Sequence, residues 1–268
     1  MRTLRGSLVA LVAASCAGDG HATIEGEVDG DEVKLGPAIL VQSPGEDSAF
    51  DRIQVVAGGI DEDICDVLTG FAQIRSTLNE SEVFSDEAAY WRDHMPADFW
   101  MLTLAIQVDD LTDDLQGRQL SGTSAFNGNE FGVHLLDDDQ IGGQLVHFLR
   151  PLDLEYWTGL SFTGIPGDFT IDMPGEFDSF GLDAGYDEIV DYAPDEAIEG
   201  FFETTAVESV GHDEVGDLQI AFNAKRCAPL EQYLCSVVGD SGLSTFDCYP
   251  RVAATSGSYS SLTGGHRP

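Results

Sequence analysis

The chain has 268 residues, 43% of them hydrophobic, with 48 Asp+Glu against 12 Lys+Arg and a formal net charge of −36. That apolar share supports a buried core and excludes a wholly disordered chain, and the length suits one large or two small domains. So acidic a surface repels phosphate backbones, which excludes nucleic-acid binding, and no apolar run reaches the ~18 residues of a membrane-spanning helix.

The opening, MRTLRGSLVALVAASC, places Arg2 and Arg5 before a short apolar stretch, Leu8 to Ala14, that ends in small residues. This is the layout of an export signal, too short to remain as a spanning helix. Ala13-Ala14-Ser15-Cys16 resembles the lipobox of bacterial lipoproteins, with Ala13 where the motif usually carries Leu. The resemblance implies a diacylated Cys16 as the new N-terminus. Ala17 stands where Asp would mark inner-membrane retention, so the implied address is the outer membrane. Two acyl chains hold a protein stably at a bilayer where one binds only marginally. Ordinary cleavage after Ala14 or Ala17 is the alternative.

Residues 16–22 read as a tether. Beyond it, Thr23 to Val28 and Glu32 to Leu35 alternate around Asp29-Gly30-Asp31, the pattern of a hairpin. Ala38 to Gln42 and Arg52 to Ala57 read as strands. From Asp61 to Leu78 the period changes: Ile64, Val67, Leu68, Phe71, Ile74 and Leu78 fall at helical spacing and carry Cys65 with them. A second short helix is predicted over Ser85 to Asp93. Strands return at Phe99 to Val108, Phe131 to Leu136, Gly143 to Leu149, Tyr156 to Phe162 and Phe169 to Met173. A last hairpin joins Phe201–Val210 to Asp217–Asn223, with Cys227 just beyond. The Ser/Gly-rich segment 251–268 reads as a tail. The predicted fold is mainly β: one antiparallel sandwich or barrel-like domain over residues 23–250, with a helical insertion at about 61–94.

Taken together, the signal with Cys16, the Gly26–Gly30 hairpin, Cys65 after a strand and the Gly216–Phe222 strand leading to Cys227 resemble the β-rich lipoproteins encoded in many bacterial genomes. That group implies a periplasmic or surface location and passes on no activity. With Cys16 assigned to lipid, Cys65, Cys227, Cys235 and Cys248 remain, an even set in an oxidising compartment. The favoured pairs are Cys235–Cys248 and Cys65–Cys227. The longer bridge constrains the unfolded chain by ~4–5 kcal/mol in the loop-entropy description. Only Lys34 and Lys225 are lysines. Acid excess with little Lys resembles salt-adapted proteins, and self-repulsion of this size predicts a melting temperature that rises with NaCl.

No catalytic constellation emerges. Gly239-Asp240-Ser241-Gly242 resembles the nucleophile motif of trypsin-like proteases, but Leu243 and Ser244 follow it and no partner histidine has a matching setting. Asp109, Asp110, Asp113 and Asp114 are the best calcium candidates among several acidic runs, none of which has EF-hand spacing. The six histidines show no metal-ligand spacing. Trp91, Trp100 and Trp157 suit either a core or a sugar-binding platform. The sequence therefore points to a lipid-anchored, exported, acidic β-domain with a structural or binding role, a protein or glycan partner and no cofactor. A hydrolase with an unidentified carboxylate pair and a calcium-stabilised adhesion or carbohydrate-binding module are the alternatives.

Overall fold

A computed structural model describes residues 20–43, 51–77, 89–118, 121–122, 140–149, 157–162, 169–174, 177–208 and 213–231. The strands are β1 (His21–Glu25), β2 (Glu27–Val28), β3 (Asp31–Glu32), β4 (Ala38–Ser43), β5 (Asp51–Gly58), β6 (Phe99–Val108) and β7 (Ser121–Gly122). They continue with β8 (Gln140–Phe148), β9 (Trp157–Phe162), β10 (Phe169–Pro174), β11 (Phe177–Ala193), β12 (Ala197–Glu208) and β13 (Glu214–Arg226). Helix α1 is Ile64–Thr77, residues 89–94 form a helical segment, α2, and α3 is Ala228–Glu231.

The main sheet runs β1-β13-β12-β11-β8-β6-β5-β4 with antiparallel neighbours throughout. It then closes on itself. Lys225 and Arg226 at the end of β13 pair in parallel with Ile39 and Leu40 of β4. The expected mainly β, barrel-like domain with a helical insertion is the observed architecture. β9 and β10 pair only with each other among the described residues.

The interior is filled by alternate residues of every wall strand. Leu40, Ile53, Leu102, Leu104, Phe202 and Ile220 are all fully buried there. A second core lies outside the barrel, where Ile64, Leu68 and Phe71 of α1 and Trp91 of α2 cover Val56, Met101 and Phe148 of the wall. The sheet thus has two kinds of strand. β6 is buried at all ten positions and β5 at seven of eight, as expected for strands sandwiched between two layers. β12 and β13 alternate buried with open positions, the signature of a wall with one wet face.

Local chemistry sets the element ends. Asp63 caps α1, its Oδ1 accepting from Cys65 N at 2.8 Å and Asp66 N at 3.1 Å. Arg226 closes the barrel's seam: its guanidinium donates to both Glu231 oxygens (2.9–3.2 Å) and to Asp195 Oδ1 (2.7 Å), while Glu231 also accepts from Gln42 N.

Two expectations change. The predicted first hairpin is broken at Gly26, whose φ of 131° is closed to L side chains and where a Cβ would run into Asp217 O. β1 therefore turns away to pair with β13, leaving only β2 and β3 as a hairpin, around Asp29 (φ 52°) and Gly30 (φ 87°). The 17-residue β11 has no counterpart in the sequence reading. Register shifts between Ala184 and Tyr186 and between Ile189 and Asp191 interrupt its period of two, so no simple alternation marks it.

Candidate binding site

The four candidate calcium ligands lie in the 109–118 loop after β6, where the Asp110 and Asp114 carboxylates serve its turns. Asp110 Oδ1 accepts from Thr112 N (2.8 Å) and Oγ1 (2.7 Å), bonds that hold its carboxyl below the usual carboxylate range. Asp114 Oδ1 accepts from Gln116 N, and Asp113 N donates to Asp110 O. Asp109, Asp110 and Asp114 are exposed. No three His, Cys, Asp or Glu among the described residues stand close enough to hold a metal ion. The loop instead closes one end of the barrel. Leu115 is fully buried, Leu111 N donates to Asp51 Oδ2, and Tyr192 Oη donates to Leu111 O while accepting from Gln42 Nε2.

Cys65 and Cys227 are joined as a disulfide, with Cα atoms 5.6 Å apart, which ties α1 to the end of β13. Cys16, Cys235, Cys248, the Gly239–Gly242 string, His134, His212 and His266 lie outside the described residues. His94 Nδ1 meets Glu62 at 2.8 Å. His147 stacks on Trp100, ring centroids 3.9 Å apart and 8° from parallel, with Nε2 at 2.8 Å from Asp98 Oδ1. Trp100 and Trp91 are core residues, at 5% and 0% exposure, so neither lines a platform.

A feature the sequence reading missed sits on the outer face of the covered wall, beyond the apolar patch under α1. The pleat of β5, β6 and β8 sends Ile53, Leu104 and Leu145 inward and Arg52, Gln54, Thr103, Gln107 and Gln144 outward. Register aligns them across the strands: Arg52 with Gln107, Gln54 with Ala105, and Thr103 with Gln144. Between the two polar rows, Ala105 pairs with Gly142 and adds almost no side chain above the backbone. All five polar residues are buried, Gln107 at 1% exposure and Arg52 at 7%. Gln144 Nε2 donates to Ser179 Oγ at 2.7 Å. The Gln107 carboxamide has no partner for either its oxygen or its nitrogen. A buried orphan amide costs roughly 1–3 kcal/mol per unmet group, so its retention calls for an explanation beyond packing. The signal was present in the sequence as polar residues spaced by even numbers within largely apolar strands, Arg52 and Gln54 in β5, Thr103 and Gln107 in β6, Gln140 and Gln144 in β8. A polar alternate ordinarily means a solvent face, and only the structure shows this face buried.

No protein-family model matches the chain, and neither the curated proteins nor the solved structures contain a match to it.

Proposed function

We propose that the chain is an exported binding protein, acylated at Cys16, held at the outer membrane and without catalytic activity. The observation that carries this reading is the Cys65–Cys227 bridge. Structural disulfides persist in oxidising compartments outside the cytosol, where the N-terminal signal would send the chain. With Cys16 given to lipid, the bridge leaves Cys235 and Cys248 as a second even pair. The buried polar patch of the covered wall supports a binding role, because unmet hydrogen-bonding groups in a barrel wall serve a ligand better than they serve packing. The net charge of −36 directs the domain away from nucleic acid and toward small molecules, proteins or glycans.

The test is intact-mass and N-terminal analysis of the protein taken from its membrane fraction. A mature chain beginning at a diacylated Cys16 is the expected result. A chain beginning at Ser15 or Gly18 without lipid removes the anchor, and an uncleaved Met1 removes export altogether.

A further inference from the structure

We propose that the barrel stands on the bilayer by the end where β13 meets β4, so that this end contacts lipid headgroups and the β2–β3 hairpin faces away. The inference rests on the anchored half of the reading above and is independent of the buried wall patch. Read from the sequence, the tether covers residues 16–22. The barrel wall instead takes over at Gly20, which is buried and whose carbonyl accepts from Ala38 N at 3.0 Å. A Cβ at Gly20 would collide with the backbone of Ala38, Lys225 and Asn223, so the root of the chain is fixed between β4 and β13. Only residues 17–19 separate it from Cys16. Four extended residue steps span at most about 14 Å, so an acylated Cys16 holds Gly20 that close to the bilayer.

Strand direction decides which end is held. β1 runs antiparallel to β13 with His21 opposite Asn223, so the chain before His21 leaves toward Lys225 and Arg226. The Asp195–Arg226–Glu231 seam lies at that end, as does the 109–118 loop, which Tyr192 and Asp51 fasten there. The opposite end is out of reach. Asp29 N, in the β2–β3 turn, donates to Val215 O, and the stretch of β13 from Val215 to Asn223 spans roughly 27 Å at about 3.4 Å per residue.

The exposed groups at the held end match a zwitterionic headgroup. Asp109, Asp110, Asp114, Asp195 and Glu196 offer carboxylates to its ammonium, and Lys225, beside Gly20, offers an ammonium to its phosphate. A bilayer of net negative charge repels the same end, and the chain's charge of −36 adds to that repulsion at low salt.

The chain's two lysines report on the two positions. Lys225 stands at the held end, and Lys34, also exposed, precedes Ile39, the β4 partner of Lys225, and so lies further from that end. The experiment adds the diacylated chain to preformed phosphatidylcholine vesicles and follows acetylation of each lysine by a membrane-impermeant amine reagent, read by mass spectrometry. The chain starting at Ala17, without lipid, is the reference. The expected result is a several-fold slowing at Lys225 with Lys34 unchanged, and a smaller effect on phosphatidylglycerol vesicles at low salt. Inserting about ten Gly/Ser residues after Ala17 lengthens the leash and abolishes the protection. Lys34 slowed as much as Lys225, neither lysine slowed on the vesicle-bound chain, or protection that survives the insertion overturns the proposal. Stronger protection on phosphatidylglycerol overturns its headgroup chemistry. Vesicle flotation and the mass of Cys16 report separately on the anchor. Where the native Cys16 carries no lipid, joining its thiol to a maleimide-bearing lipid imposes the same leash, so the orientation and the anchor fail separately.

Discussion

Strands β5, β6 and β8 carry a helical layer on their outer face, whereas β12, β13 and β1 show theirs to solvent, and the two halves of the wall solve the same packing problem with different residues. On the open half, acids, amides and hydroxyls stand beside Phe201 and Ala221 at the outward positions, and several satisfy one another: Thr205 donates to Asp217 and Asn223 to Glu199. On the covered half, outward positions are apolar where α1 and α2 lie, and polar but buried beyond them. The contrast shows that a polar side chain in a strand has two meanings. It marks either water or a group that buries a cost for some other purpose.

The comparison breaks most sharply at the bridge that fastens the covering layer. Replacing both Cys65 and Cys227 by Ala should lower unfolding free energy by ~4–5 kcal/mol. Amide exchange in α1 should rise before that in β12 and β13, and uniform loosening of the whole barrel would show that the layer is not a separable unit. Next in size is the difference between adjacent residues of β12. Phe202→Ala, inside the barrel, should cost ~3–5 kcal/mol, and Phe201→Ala, on the open face, under ~1 kcal/mol. Denaturant melts of the two variants measure this, and similar losses would mean that the open face is packed. Removing the α1 cap with Asp63→Ala should cost ~1 kcal/mol, confined to the covered half. The smallest effect concerns the loop that closes one end of the barrel. Burial pushes the Tyr192 phenol up to about 12 from its ordinary 10, a rise that the Gln42 hydrogen bond partly offsets. Between those values the unfolded chain loses this proton and the folded chain keeps it, so stability falls as pH rises from 10 toward 12. Tyr192→Phe should flatten that slope in melting temperature against pH, and an unchanged slope would assign it to other groups.

Part of each half was legible in the sequence. The hairpin of β12 and β13 follows from its alternation, and α1 follows from Ile64, Val67, Leu68 and Phe71 at helical spacing. The Cys65–Cys227 pairing followed from parity and chain position. The rest depended on contacts between distant residues. Nothing local tells β1 to leave Glu27 and Val28 for Asn223, except Gly26, whose positive φ no alternation pattern reveals. The bulges of β11 hid the longest strand because each shifts the inward set by one residue. The patch around Gln107 was invisible because a pattern records that two faces differ, without recording what lies over them.

The seam between β4 and β13 has a consequence for the order in which the molecule is made. Among the described residues, β1 has its ladder in residues 219–223, with one further bridge from His21 to Pro37, and β4 finds its second neighbour at Lys225 and Arg226. A chain made from its N-terminus therefore holds the long edges of β1 and β4 open until residues 219–226 are in place, and its contact order is high. The barrel closes only after β13 is available, so an incomplete chain exposes edges that need protection.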